Sequence, residues 1–377
     1  MNINDIRWIW QQPTWPAFIW QDEAIKPLLQ AIRLKQGILL GKANASGEAS
    51  NLEAELDLLV NSIITSCAIE GEKLNAASIR SFLAKRLGVR VEHPQSVSDR
   101  SEGLAKMMFD AIEHIEAPLT LKRLFQWHAW IFPADTFSLH HLRVGELRGD
   151  ELMQVVSGRI DKPKVHFEAP PRDMLEHEMD VFIEWFNQSR RDPLLDPMLR
   201  AGICHLWFVV IHPFEDGNGR ITRALTDLAL AQANAASIRL YAMSPAILAN
   251  RSGYYLALEN SKQMDITPWL VWFLSTLDAA LQASLDNIER VVVKTRFWQR
   301  FQNADLSTEQ RKVLQRLLDG GEKGFEQGIS ASQYQKVAKV SKATATRHLA
   351  DLLEKGCIEK LAGGGRSTRY QISRPGN

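Results

Sequence analysis

Twelve consecutive residues, HPFEDGNGRITR from His212 to Arg223, bring one imidazole, two carboxylates, two glycines and two arginines between the apolar runs AGICHLWFVVI and ALTDLALAQA. After this stretch Ile221, Ala224, Leu225, Leu228 and Ala229 recur at helical spacing, so a helix is expected to begin within GNGR with Asp216 as its N-cap. A glycine-rich turn at a helix N-terminus exposes unpaired backbone N–H groups beside the positive end of the helix dipole, which suits an anion. Arg220 and Arg223 are neighbours on the first turns and add guanidinium donors that fit phosphate. His212 can take a proton from a hydroxyl attacking a bound phosphate, and Asp216 offers the hard oxygen that magnesium accepts. Each feature by itself is ordinary: a histidine after an apolar helix is usually structural, an acidic pair is usually a cap or solvated, and GNG is usually a turn. Their order and spacing together point to a polyphosphate cradle with its own base and metal ligand.

The familiar nucleotide-binding signatures are missing: there is no GxxxxGK[ST] loop, no GxGxxG after a strand, no HExxH and no kinase set. A different scaffold must hold the loop. At 377 residues and 45% apolar content the chain exceeds one hydrophobic core, so two or three domains are expected. A formal net charge of +1 gives no overall pull towards nucleic acid or membrane. Cys67, Cys204 and Cys357 lack CxxC spacing, which excludes a disulfide scaffold and a cysteine zinc site and fits a reducing cytoplasm. The N-terminus lacks the basic start and apolar core of a signal peptide, and no apolar run would span a bilayer, so a cytoplasmic location without a membrane partner is expected. His140 and His141 have no ligand constellation around them and read as surface or core residues.

The scaffold reads as mainly α. Residues 1–100 open with an extended Trp- and Pro-rich stretch and become helical; in the helix over about 52–71, Leu56, Leu59, Ile63 and Ile64 keep helical spacing and Gly71 stands where a helix stops. Residues 101–285 are helical except where MQVVS and KVHFEA alternate around a turn containing Gly158, Asp161 and Pro163, which reads as a β-hairpin. A connecting helix over 286–303 leads to a C-terminal domain, 304–377, where three short helices and a Gly-rich hairpin follow the order of a winged helix-turn-helix. Ala350, Leu352, Leu353 and Ile358 read as its core.

HPFEDGNGRITR fills every fixed position of the Fic motif HxFx[D/E]GNGRxxR, and the chain resembles the Fic family from its N-terminal helix to about residue 280, including the hairpin followed by APP and the downstream RSGYYLALE. The resemblance implies a Fic-fold helical core with a hairpin flap, and an enzyme that transfers AMP from ATP to a Ser, Thr or Tyr hydroxyl of a protein, itself included, with release of diphosphate. It implies His212 as base, Asp216 as Mg²⁺ ligand, Gly217, Asn218 and Gly219 as the anion-binding turn, Arg220 on the inner phosphates and Arg223 on the γ-phosphate. Phe214 reads as an anchor packing the loop into the core. Tyr255 resembles the position that lines adenine, with core packing as the alternative, and Val155, Val156 and Ser157 of the flap would hold a target segment by strand-like pairing.

Ser66, Glu70 and Gly71 in SCAIEGE match the family's inhibitory pattern [S/T]xxxE[G/N], in the class II arrangement that lies N-terminal to the Fic core. The resemblance implies that Glu70 pairs with Arg223, because a guanidinium fork serves a carboxylate or a phosphate but not both. The same glutamate could orient water for removal of AMP, so AMP removal or transfer of another nucleotide monophosphate stays open. In the tail, Ser341, Lys342, Thr344, Thr346 and Arg347 crowd the start of the second helix of the helix-turn-helix, and Arg366 and Arg369 lie at the wing. That placement allows DNA contact beside protein contact or dimerisation, so a nucleotide-sensing DNA-binding regulator is the reading from another class. A homodimer is the expected assembly.

Overall fold

A computed structural model of the chain describes residues 7–373 except 47, 91–95, 97, 134–141, 160–161, 234–240, 320–324, 326 and 362–367. It divides into two units, Met1–Ser284 and Leu285–Asn377. In the first, a short 3-10 turn over Ile9–Gln11 interrupts the expected extended start, and three helices follow: α1 (Asp22–Ser46), α2 (Glu48–Ile69) and α3 (Ala76–Leu87). The Asn75 side chain accepts from the N–H groups of Ala77 and Ser78 to start α3, and Gly88 at φ +71° stops it.

Helices α4 (Asp99–Glu113) and α5 (Leu121–Ile131) begin on Ser98 and Thr120, whose hydroxyls cap the N–H groups of Ser101 and Arg123. Strands β1 (Gln154–Arg159) and β2 (Lys162–Glu168) pair antiparallel, with a bulge between Val155 and Val156. Then come α6 (Leu175–Ser189), α7 (Pro197–Ile211), α8 (Asn218–Ala233), α9 (Met243–Ala249) and α10 (Arg251–Asn260). Helix α7 forms the centre, its side chains buried almost throughout; Asp196 caps it and Pro197 fills the first position, where a missing N–H costs nothing. It packs against α6 and α8, while α2 packs against α3, α8 and α9.

Helix α11 (Thr267–Arg300) is one continuous element. The separate connecting helix expected over 286–303 is therefore its C-terminal part, because no Gly or Pro after Pro268 breaks the run. Gly202 of α7 lets α11 approach: a Cβ there would meet Leu270 and Phe273 at 3.0 Å, and Trp269 donates its indole N–H to the Gly202 carbonyl at 2.8 Å.

The second unit contains α12 (Thr308–Asp319), β3 (Ile329–Ser330), α13 (Ala331–Ala338), α14 (Lys342–Glu354), β4 (Ile358–Lys360) and β5 (Arg369–Ile372), with sheet order β3-β5-β4. Its core gathers Val313, Leu314, Ile329, Tyr334, Leu349 and Leu352. Ala350 was expected there and is instead exposed, because the inward face of α14 passes through Ala345, Leu349 and Leu352 at spacings of four and three.

Gly103 of α4 lies under the α5 backbone so closely that a Cβ would overlap the Trp130 carbonyl. Gly103→Ala should therefore destabilise the protein by about 3 kcal/mol through overpacking, despite its better helix propensity. Urea unfolding of the two proteins measures the difference.

Candidate active site

Helix α7 ends by delivering His212 in a left-handed conformation, φ +50° and ψ +58°, which non-glycine residues seldom adopt. Three contacts hold it there. Its N–H donates to Phe208 O at 3.1 Å, its Nδ1–H donates to Val209 O at 3.2 Å, and its own carbonyl accepts from Arg148 Nε at 2.9 Å. With Nδ1 engaged, Nε2 carries the free lone pair of the neutral ring. Burial pushes the imidazole down to about 4, the nearby Arg148 cation adding to the shift, so the ring is neutral at physiological pH.

The loop is then closed on itself. Asn218 accepts from Phe214 N at 3.0 Å and donates from Nδ2 to Phe214 O at 2.7 Å. Phe214 is fully buried and stacks on His128, with ring centroids 4.3 Å apart. Gly217 has φ +83°, and a Cβ there would come within 2.8 Å of Ile131 and Phe132, so the turn requires glycine. The first bond of α8 runs from Ile221 N to Gly217 O at 3.0 Å, making Gly217 the N-cap in place of the expected Asp216. Asp216 instead accepts from Gly217 N with Oδ1 at 2.5 Å and leaves its side chain 61% exposed.

His128 was not singled out by the sequence. Its Nδ1 accepts from Gly145 N at 3.0 Å, so its Nε2–H is the donor to Asp216 O at 3.1 Å. Burial lowers its pKa and keeps it a neutral bracket behind the loop. In sequence it is one more residue on the buried face of an amphipathic helix, indistinguishable from a core histidine.

The arginines are met by a turn from the N-terminal region. Helix α2 ends with Gly71 at φ +82°, Gly71 N bonding Ala68 O and Glu72 N bonding Cys67 O, both at 3.0 Å. This is a Schellman termination, and it sets Glu70 and Glu72 on the two sides of the glycine. Arg223, 2% exposed, donates from Nε to Ser66 Oγ at 2.7 Å and from Nη2 to Ser66 O and Glu70 Oε1, each at 2.8 Å. The Glu70 carboxylate also lies against Gly219, where a Cβ would overlap it. Glu72, which sequence reasoning passed over, accepts from Arg220 Nη1 at 3.2 Å and from Arg100 at 2.6 Å. Arg220 lies over the Phe132 ring at 4.8 Å and reaches Asp216 at 3.4 Å. Arg223 Nη1 and Arg220 Nε are buried without a hydrogen-bond partner among the described residues.

Tyr255 is 40% exposed, with the Arg251 guanidinium 5.3 Å from its ring centre, so it faces open space while Tyr254 takes the core position. Tyr254 donates to His205 Nε2 at 3.0 Å; His205 Nδ1–H donates to Thr226 at 2.9 Å, whose hydroxyl donates to Thr222 O at 2.8 Å. Val155 and Val156 are exposed on β1, and Ser157 pairs with Lys164 in the ladder. Lys342, Thr346 and Arg347 are exposed on α14, which Ser341 caps through Thr344 N; Arg369 donates to Gly328 O at 2.9 Å. Arg366, His140 and His141 lie outside the described residues. Among the described residues no group of three His, Cys, Asp or Glu could hold a metal, and no helix is long and apolar enough to cross a membrane.

Comparison with known proteins places two family profiles on the chain: the Fic/DOC family over residues 118–230 and a domain of unknown function, DUF4172, over residues 8–89. Curated relatives include "Protein adenylyltransferase Fic" of Aedes aegypti, 28% identical over 62% of this chain and 43% of that protein. The protein of the same name from Drosophila mojavensis is 29% identical over 65% of this chain and 45% of its own length. The chain thus spans under half the length of these relatives. Among solved structures, a Fic family protein from Desulfovibrio desulfuricans G20 superposes with a TM-score of 0.53 at 21% identity, covering 96% of this chain and 99% of that one, and it shows a shared fold.

His205 is fully buried, and burial lowers its pKa to about 3. The unfolded chain binds a proton there near pH 6.5 and the folded chain does not, so His205 alone should lower the free energy of unfolding by up to about 1.4 kcal/mol per pH unit below 6.5, with His212 and His128 adding to the slope. Denaturant titrations at pH 7, 6 and 5 should show this slope, and His205→Gln should flatten it by one proton; an identical slope in the variant would remove His205 as its source.

Proposed function

With a Fic/DOC family domain over residues 118–230 as the premise, we propose that the chain transfers AMP from ATP to a hydroxyl of a protein and is restrained by its own Glu70. The observation that carries the reading is the anion already seated in the cradle: the Glu70 carboxylate lies on Arg223 and against Gly219 at the start of α8. A phosphate chain would enter the same place, with Arg220 on the inner phosphates, Arg223 on the γ-phosphate and the N–H groups of Gly217, Asn218 and Gly219 around it.

His212 Nε2 takes the proton of the target hydroxyl as its oxygen bonds to the α-phosphorus. The bond from that phosphorus to the bridging oxygen breaks, and its electron pair leaves on diphosphate. Asp216 would hold Mg²⁺, which supplies charge neutralisation on the phosphates. The exposed edge at Val155 and Val156 would present the target segment by strand pairing, and the exposed ring of Tyr255 would stack on the adenine.

The restraint is competition for guanidinium. While Glu70 holds Arg223, the γ-phosphate lacks its partner. Glu72 on Arg220 extends the same competition to the inner phosphates, so one turn engages both arginines. A closed state favoured by about 2 to 3 kcal/mol leaves roughly one molecule in a hundred competent.

A second reading concerns the C-terminal unit. Residues 285–377 hold 17 Lys and Arg against 10 Asp and Glu, and Lys342, Thr346 and Arg347 share an exposed face of α14, a placement that supports a winged helix reading nucleic acid.

Glu70→Gly should raise incorporation of AMP into the enzyme or lysate proteins by about 30-fold or more, and His212→Ala in that background should abolish it. Mass spectrometry after incubation with ATP and Mg²⁺ reads both, and equal labelling with and without Glu70 contradicts the restraint. Glu72→Gln should raise labelling further, by about 3- to 10-fold, in the Glu70→Gly background; a loss there would make Glu72 a support of Arg220 instead of a competitor. A mobility shift that Arg347→Ala abolishes would support the second reading, and no shift with the intact protein contradicts it.

A further inference from the structure

Arg148 is buried to 2% exposure beside the base, and the proposed chemistry has given it no task. Burying a cation is expensive unless a carboxylate compensates it, and Arg148 forms no ion pair among the described residues. The charge acting on it is another cation, Arg172. Its partners are carbonyls. Nε donates to His212 O at 2.9 Å, Nη2 donates to Pro170 O, and its own backbone N–H donates to Pro213 O at 3.0 Å.

These partners belong to different parts of the site. His212 and Pro213 begin the catalytic loop at the C-terminus of α7, where a helix presents the negative end of its dipole. Pro170 follows β2, where Ala169 N donates to Met153 O at 3.0 Å and so closes the base of the hairpin. One guanidinium thus joins the residue that carries the base to the root of the flap. A planar fork holds two carbonyls in a fixed relative direction, which a lysine ammonium with rotatable donors on a flexible stem does not. The contact from Arg148 Nε to His212 O holds the left-handed backbone of His212 from outside its own helix.

We propose that Arg148 is a positioning residue for AMP transfer, fixing His212 and the flap to each other so that Nε2 and the hydroxyl presented by the flap meet in register. The proposal rests on the reaction assigned above. Among the described residues Arg148 shares no hydrogen bond or ion pair with Arg220, Arg223 or Glu70, so its effect falls on the chemical step and not on nucleotide affinity.

Arg148→Lys and Arg148→Gln, each in full-length protein carrying Glu70→Gly, test this. The expected result is a kcat for AMP transfer lower by about 30- to 100-fold with KM for ATP within about threefold. Hydrogen exchange in the nucleotide-free proteins should speed up together in residues 153–170 and 212–217, with exchange in α4 unchanged. Unchanged kcat, a KM that rises in step with the loss, or faster exchange confined to one of the two segments would overturn the proposal. If Glu70→Gly transfers no AMP, the assigned reaction fails, while the exchange measurement still decides whether Arg148 couples the base to the flap.

Discussion

Burying a guanidinium as deeply as that of Arg223 costs several kcal/mol, and the chain meets it with Ser66 and Glu70 from a single helix end. Carbonyls alone hold the equally buried Arg148, whereas Arg223 also has an anion within hydrogen-bond reach. That anion is Glu70. One ion pair therefore compensates Arg223 and, on the proposed reading, keeps a γ-phosphate out. Restraint of this kind needs no large motion. It needs a carboxylate whose attraction to Arg223 is comparable with that of the phosphate it replaces.

The ion pair depends on how α2 ends. The Schellman turn at Gly71 fixes the direction of Glu70 and Glu72, and Gly219 leaves the room that the Glu70 carboxylate occupies. Glu70 falls in the segment matched by the domain of unknown function and Arg223 in the segment matched by the Fic/DOC family, so each supplies half of the contact. On the far side of the loop, Arg148 and His128 hold backbone atoms of His212 and Asp216. The loop is thus braced by Arg148 and His128 through its backbone, while Arg220 and Arg223 are the groups that the proposed reading assigns to phosphate.

The candidate loop stood out in the sequence because His212 to Arg223 are twelve contiguous residues, and helix periodicity placed the start of α8 within GNGR, as the structure has it. Gly71 as a helix stop was legible for the same reason. The N-cap was misplaced by one residue because an aspartate and a left-handed glycine give the same signal, and the bonding at Ile221 chooses the glycine. Glu72, His128 and Arg148 were hidden because each acts on a residue 64 to 148 positions away. A single sequence carries no mark of such pairings. The sequence reading divided α11 near residue 285, although no residue there breaks a helix.

The relative affinity for ATP and ADP tests the central claim most directly, because the γ-phosphate is the only group whose partner Glu70 is proposed to take. Calorimetric titration of both nucleotides with Mg²⁺ into the wild type should give dissociation constants within about threefold of each other. In Glu70→Gly, ATP should bind at least about tenfold more tightly than ADP. The same ATP-to-ADP ratio in both proteins would contradict the account.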